Sequence, residues 1–250
     1  MKVYETMALS RSGHHSMKNW IIRNLVGFQI EWVFKMVSGI GTRFYHLGEA
    51  NHDIPLSFEY LTQFKNDIDT IIVNYEDAPW DYTIFNEDRI YRGPLNMEKK
   101  EEYNIEHKGR ICFIRDFYDL LASRIKSNEE TIFKKWDTEE PHLFKVDEEF
   151  IKRWKSHAQA CVENKISYLK FEDWIMSKEI RDKFIFENFG VRDRYGLDGI
   201  IGSRSSFGKI NNLTDRHKQL KLSDEMKDLI ESDKDLNYLI SELNYTKILF

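Results

Sequence analysis

The stretch Met7-Ala8-Leu9-Ser10-Arg11-Ser12-Gly13-His14-His15-Ser16-Met17 decides how the chain is read. Met7, Ala8 and Leu9 close a run from Lys2 that reads as a strand, and the polar Ser-Arg-Ser-Gly that follows reads as a loop. From His15 or Ser16, the positions Met17, Ile21 and Leu25 recur at helical spacing, with Trp20 beside them. A strand that passes through a loop into a helix aims backbone N–H groups and a helix N-terminus at one point, which suits a phosphate. Gly13 lets the backbone approach closely, and Arg11 supplies a permanent, forked positive charge. The hydroxyls of Ser12 and Ser16 and the imidazoles of His14 and His15 are predicted to face the same anion. The nucleotide P-loop pattern G-x-x-x-x-G-K-[ST] is absent, since no Gly leads the loop and no Lys follows Gly13. Taken alone, the loop fits a plain strand-to-helix turn equally well. Adjacent histidines do not face one ligand on a helix, so no metal is expected.

Outward from this stretch, strands and helices alternate. Thr70–Asn74, Arg110–Arg115 and Lys165–Phe171 are short runs that suit buried strands. Helical patterns cover Asp116–Lys126, Glu148–Asn164 and the region from Ser223, where Met226, Leu229, Ile230, Leu236, Leu239, Ile240 and Leu243 recur. This order predicts an α/β fold with a central, mostly parallel sheet flanked by helices. Ligands in such sheets bind beyond the carboxyl ends of the strands. The residues after Leu9, Val73, Ile114 and Leu169 are therefore the ones to inspect.

Arg115-Asp116-Phe117-Tyr118-Asp119-Leu120-Leu121-Ala122-Ser123 is a second strand-to-helix junction. Arg115 stands at the strand tip. Ser123, about two helical turns on, returns to the face near Asp116 and Asp119. Together Arg115 and Ser123 can hold a second phosphate, while Asp116 can cap the helix. An Arg115 paired with a nearby carboxylate is the plainer reading of this segment by itself.

Both motifs together resemble the sulfotransferases that use 3′-phosphoadenosine 5′-phosphosulfate (PAPS). In that family a [KR]-S-G-T-T loop holds the 5′-phosphosulfate, and a strand ending R-D-P with a Ser eight residues after the Arg holds the 3′-phosphate. Arg11-Ser12-Gly13-His14-His15 is similar to the first, and Arg115-Asp116-Phe117 with Ser123 to the second. Lys170-Phe171-Glu172-Asp173-Trp174 resembles the end of the family's "YEDL" strand. Arg204-Ser205-Ser206-Phe207-Gly208-Lys209 resembles the late loop over the nucleotide, and Leu243-Asn244-Tyr245 a terminal "LGY". His14 and His15 stand where the family has threonines, and Phe117 where it has Pro.

The resemblance implies a P-loop-NTPase-like sulfotransferase architecture over 1–250 as one domain. It implies PAPS as donor and 3′,5′-ADP as product, with no metal required. The donor would be bound by Arg11, Ser12, Gly13, His14, His15, Ser16, Arg115, Ser123, Ser206, Phe207, Gly208 and Lys209. Arg11, with His15 beside it, would stabilise charge on the sulfuryl group and the leaving oxygen. The family sets a base near the end of the strand after the first helix. Taking that strand as Ile71–Asn74 makes Glu76 the first choice and Asp77 the second. His46, Glu49 and His52 form a further polar cluster. The acceptor would be a carbohydrate or a small hydroxylated molecule. A P-loop kinase-like phosphotransferase and a non-catalytic anion-binding protein of the same fold are the alternatives.

Composition narrows the partners. The 250 residues hold 37 Lys and Arg against 42 Asp and Glu, a net charge of −5, which excludes a general basic coat for nucleic acid. The charge is uneven. Residues 128–149 hold eight acids and three bases and read as an acidic surface insertion. Lys2, Arg11, Lys18 and Arg23 oppose only Glu5 near the start, and 204–221 are also basic, so a focused anion pocket remains open. Hydrophobic residues at 41% and aromatics at 14% exclude a disordered chain. Trp80, Tyr82, Phe85 and Tyr91 can stack on sugars but suit a core as well. Cys112 and Cys161, the only two cysteines, read as ordinary buried thiols of a reducing compartment. No signal or membrane segment is read, since Arg23, Asn24, Gln29, Glu31 and Lys35 interrupt the most apolar region, Trp20–Ile40. A cytoplasmic location is expected.

Overall fold

The computed structural model describes residues 2–9, 11–26, 41–47, 68–77, 80, 106–133, 146–198, 220, 222–246 and 248. Five parallel strands form one sheet: β1 (Lys2–Ala8), β2 (Gly41–Leu47), β3 (Ile68–Glu76), β4 (Glu106–Ile114) and β5 (Ser167–Lys170), in the order β2-β3-β1-β4-β5. The helices are α1 (His14–Val26), α2 (Phe117–Phe133), α3 (Glu148–Val162), α4 (Phe171–Met176), α5 (Lys178–Phe189), α6 (Asp224–Ser232) and α7 (Lys234–Glu242). The α/β reading with a parallel sheet holds.

Alternation along the strands divides the core into two layers. Met7, Tyr75, Cys112 and Ile114 face α2, α3, α6 and α7, where Phe117, Leu121, Phe150, Trp154, Ile230 and Ile240 cover them. Tyr4, Ala8, Ile72, Ile111, Phe113 and Leu169 face α1, α4 and α5, where Trp20, Ile21, Trp174 and Ile185 cover them. Each such large side chain, fully buried, contributes roughly 1.5–3 kcal/mol.

Two buried polar residues interrupt the central strand, and both are satisfied. Glu5 accepts from the Tyr75 hydroxyl (2.6 Å) and Arg110 Nε (3.1 Å), with His107 Nε2 at 2.9 Å. The Thr6 hydroxyl donates to Asn74 Oδ1 at 3.0 Å. Cys112 and Cys161 are buried as expected, but their setting is not purely apolar. The Cys112 thiol hydrogen bonds to Cys161 and lies 4.0 Å from His157 Nδ1. Those contacts pull the Cys112 thiol below its ordinary range and push Cys161 up.

Several elements differ from the sequence reading. β2 lies between α1 and β3, so β3 is not the first strand after α1. α2 runs on to Phe133 and α3 starts at Glu148, which takes both ends of the acidic 128–149 stretch into helices. The helical region from Ser223 is two helices. Ser223 caps α6 through the Met226 amide (3.3 Å), and Asp233 caps α7 through the Leu236 amide (2.9 Å).

β1 is where the strand order turns. The chain fills the β3 and β2 side first, then crosses to β4 and β5. The crevice of such a sheet opens where its strand order reverses, beyond the carboxyl ends of the strands. Here that is the gap between the residues after β1 and those after β4, where both motif junctions lie.

Candidate functional site

The loop after β1 is a tight turn. The Ser12 amide donates to the Leu9 carbonyl (3.1 Å), and the amides of Ser16 and Met17 donate to the Gly13 carbonyl (3.0 and 3.3 Å). Arg11 and Gly13 both have positive φ, 72° and 85°. Gly13 is also held by its surroundings, since a Cβ there would come within 2.1 Å of the Phe171 ring. The turn thus brings the N-terminus of α1 to the end of the sheet.

Side chains of this loop divide into two groups. Ser12 and His14 are buried, and the Ser12 hydroxyl lies 3.2 Å from His14 Nδ1, so in this state they engage each other. Arg11, Gly13, His15 and Ser16 are half-buried at the crevice side. The His15 ring packs on that of His14, with centroids 4.1 Å apart.

Arg115 stands at the tip of β4 and is 1% exposed. Its Nη1 donates to the Arg11 carbonyl at 3.3 Å, and its guanidinium lies 4.5 Å above the Phe171 ring. Trp154 of α3 fixes the backbone there, donating Nε1 to the Arg115 carbonyl at 3.0 Å. Asp116 caps α2 through the Asp119 amide (2.9 Å), as its sequence context predicts. Ser123 is buried on α2, one turn beyond the buried Asp119. Burial works against the charge of Arg115, and Glu172, Asp119, Asp116 and Tyr245 work for it. The guanidinium stays protonated.

Three residues at this site carry no role in the sequence reading: Phe171, Glu172 and Tyr245. Phe171 opens α4 directly after β5, lying under both Gly13 and Arg115. Glu172 accepts from the Asp116 amide (3.2 Å) and the Tyr245 hydroxyl (3.1 Å), with Oε1 3.9 Å from Arg115 Nε. Burial raises the Glu172 carboxyl above its ordinary value against the opposing charge of Arg115. Burial, then the Glu172 charge, pushes Tyr245 well up. The sequence signal for these residues is their presence in the two stretches that resemble "YEDL" and "LGY".

No family model matches the sequence, and no curated protein matches it. Among solved structures the chain is similar to mouse sulfotransferase SULT7A1 complexed with PAP, at 11% identity and a TM-score of 0.41, over 98% of this chain and 79% of that one.

The candidate bases lie at the end of β3. Glu76 is its last residue, in register with Ala8 of β1. Asp77 follows in a left-handed conformation (φ 56°), and its amide donates to the Ala8 carbonyl at 2.9 Å. The Asp77 carboxylate pairs with Arg124 of α2, while Arg153 of α3 donates to its carbonyl. His46 lies near the end of β2, in register with Asn74. Ser206, Phe207, Gly208 and Lys209 lie outside the described residues, as do Glu49, His52, Tyr82, Phe85 and Tyr91. Trp80 is half-buried, and Lys165 Nζ lies 5.7 Å from its ring centroid.

Among the described residues no three His, Cys, Asp or Glu side chains gather as a metal-binding group. No helix among them is long and apolar enough to cross a membrane.

Proposed function

We propose that the chain transfers a sulfuryl group from PAPS to a hydroxyl of a carbohydrate or small acceptor. One observation carries the reading. The two motifs that resemble the donor-binding elements are 104 positions apart, yet Arg115 Nη1 bonds the Arg11 carbonyl at 3.3 Å beside the crevice. A loop at a helix N-terminus and a buried arginine then stand side by side, which suits a nucleotide carrying anions at both ends.

The donor set fits such a molecule. Gly13 takes the left-handed φ that turns the loop into α1, and its missing Cβ makes room for the Phe171 ring. The α1 N-terminus with Arg11, Ser16 and His15 would receive the 5′-phosphosulfate, joined by Ser12 and His14 if their mutual bond opens. Arg115 and Ser123 would receive the 3′-phosphate, and Ser206 to Lys209 would close over the nucleotide. In the transfer, the acceptor oxygen forms its bond to sulfur as the bond from sulfur to the nucleotide phosphate oxygen breaks. Arg11 would stabilise the charge that develops on that leaving oxygen. Glu76 would take the acceptor proton. The Asp77 carboxylate is already engaged by Arg124, which supports Glu76 over Asp77 as the group that meets the acceptor.

A titration tests the reading. Adenosine 3′,5′-bisphosphate should raise the melting temperature without Mg²⁺, since a ligand that binds only the native state stabilises it. A response to ATP–Mg²⁺ with none to the bisphosphate overturns the reading in favour of a phosphotransferase. Bisphosphate binding without transfer of labelled sulfuryl to any acceptor in a screen leaves a non-catalytic anion-binding protein.

A further inference from the structure

Glu172 and Tyr245 are 73 positions apart, yet they meet behind Arg115. Glu172 is delivered by the abrupt change from β5 to α4, one residue after Phe171. Tyr245 is delivered by the end of α7. There the Asn244 amide donates to the Ser241 carbonyl (2.8 Å) and the Tyr245 amide to the Ile240 carbonyl (2.9 Å), with Asn244 at φ 55°. This is a Schellman closure with Asn in the left-handed position that glycine usually fills. The closure fixes the direction in which the chain leaves α7, and so the placement of the Tyr245 ring.

We propose that Glu172 is a positioning residue for Arg115, held in place by Tyr245, so that the segment after α7 forms part of the 3′-phosphate pocket. The inference rests on the nucleotide reading above. Glu172 bonds three elements of the pocket wall. Its Oε1 accepts the Asp116 amide at the start of α2 and faces Arg115 Nε, and its Oε2 accepts the Tyr245 hydroxyl. With Phe171 under one face and the Arg11 carbonyl at Nη1, these contacts bracket the guanidinium. A planar, forked donor recognises a phosphate only in the orientation its neighbours impose. Asp116, just before α2, and Asp119 on it act on Arg115 as Glu172 does, and Asp173 acts on Tyr245. Lys170 bonds the Leu243 carbonyl (3.2 Å) and lies 3.3 Å from Asp173, so it secures the same segment from the other side.

The test compares two nucleotides. Adenosine 3′,5′-bisphosphate carries the 3′-phosphate that Arg115 would read, and adenosine 5′-phosphosulfate lacks it. Glu172→Ala should weaken the bisphosphate by about tenfold or more, the usual scale for losing a hydrogen bond to a charged group, and leave the phosphosulfate within about twofold. Glu172→Gln, whose carbonyl oxygen still accepts the Asp116 amide while its amide nitrogen can donate to the Tyr245 hydroxyl oxygen, should recover part of that loss. Tyr245→Phe removes one hydroxyl, is the milder change should Glu172→Ala not fold, and should weaken the bisphosphate roughly threefold with the same selectivity. Unchanged bisphosphate affinity in a folded Glu172→Ala or Tyr245→Phe protein overturns the inference. Equal weakening of both nucleotides also overturns it, since that marks general damage. A wild-type chain that binds neither nucleotide overturns the underlying reading, and this inference with it.

Discussion

The ring of Phe171 lies so close to Gly13 that a side chain of any size at 13 would overlap it, since a Cβ there would stand 2.1 Å from the nearest ring atom. Two restraints meet at that glycine, the left-handed φ of 85° and the ring. Gly13→Ala should therefore cost about 3 kcal/mol, above the ~1 kcal/mol of backbone strain alone. Phe171→Ala should relieve part of it. A double-mutant cycle in urea should give a favourable coupling of about 1–2 kcal/mol. Simple additivity would mean that the backbone conformation, and not the ring, sets the requirement for glycine.

Asp77 and Arg124 form a buried pair that ties the end of β3 to α2. Removing one partner strands the other charge. Asp77→Ala and Arg124→Met should each cost about 3–5 kcal/mol in urea unfolding, and the double variant clearly less than their sum. If the two single losses simply add, the pair is not the anchor of this corner.

Asp233 links α3 to α7. Lys155 Nζ lies 2.8 and 3.0 Å from its two oxygens, and it caps α7. Burial works to raise its carboxyl, but the Lys155 bond, the Leu236 amide and the Lys155 charge overcome that and hold it below its ordinary value. A depressed carboxylate gives stability that is complete above the unfolded aspartate range and lost as pH falls through the folded value. Asp233→Ala should cost about 1–2 kcal/mol at pH 7, and the gap to wild type should shrink at pH 3. A gap of equal size at both pH values would exclude the charge as its source.

If the chain transfers sulfuryl groups with Glu76 as base, Glu76→Gln should lower kcat by about 10²–10⁴-fold, the usual contribution of a general base, with bisphosphate affinity unchanged. A near wild-type rate would move the base elsewhere, Asp77 being the second choice and His46 on β2 the position to change after it.

How much of the fold is legible in the sequence depends on hydrophobic contrast. β1, β3, β4 and β5 each hold a short apolar or β-branched run, and they stand out together with the helices that follow β1 and β4. β2 does not. Its Thr42-Arg43-Phe44-Tyr45-His46 shows no period-two alternation, with two polar residues followed by two aromatics, and the more apolar Trp20–Ile40 stretch just before it masks the contrast. Both strand-to-helix loops of the candidate site are legible because strand, loop and helix are contiguous there. The Glu172–Tyr245 contact is not, since 73 positions separate the pair and only the tertiary fold joins them. The break between α6 and α7 is written in Ser232-Asp233-Lys234-Asp235, but the apolar positions on either side keep the same helical phase well enough to hide it.

Arg11, two residues before Gly13, adopts a left-handed backbone that glycine would take without strain. Arg11→Gly would therefore relieve the backbone while deleting the side chain and, if the chain transfers sulfuryl groups, leave an idle protein. Unfolding and turnover measured on that one exchange would separate what this loop does for folding from what it does for chemistry.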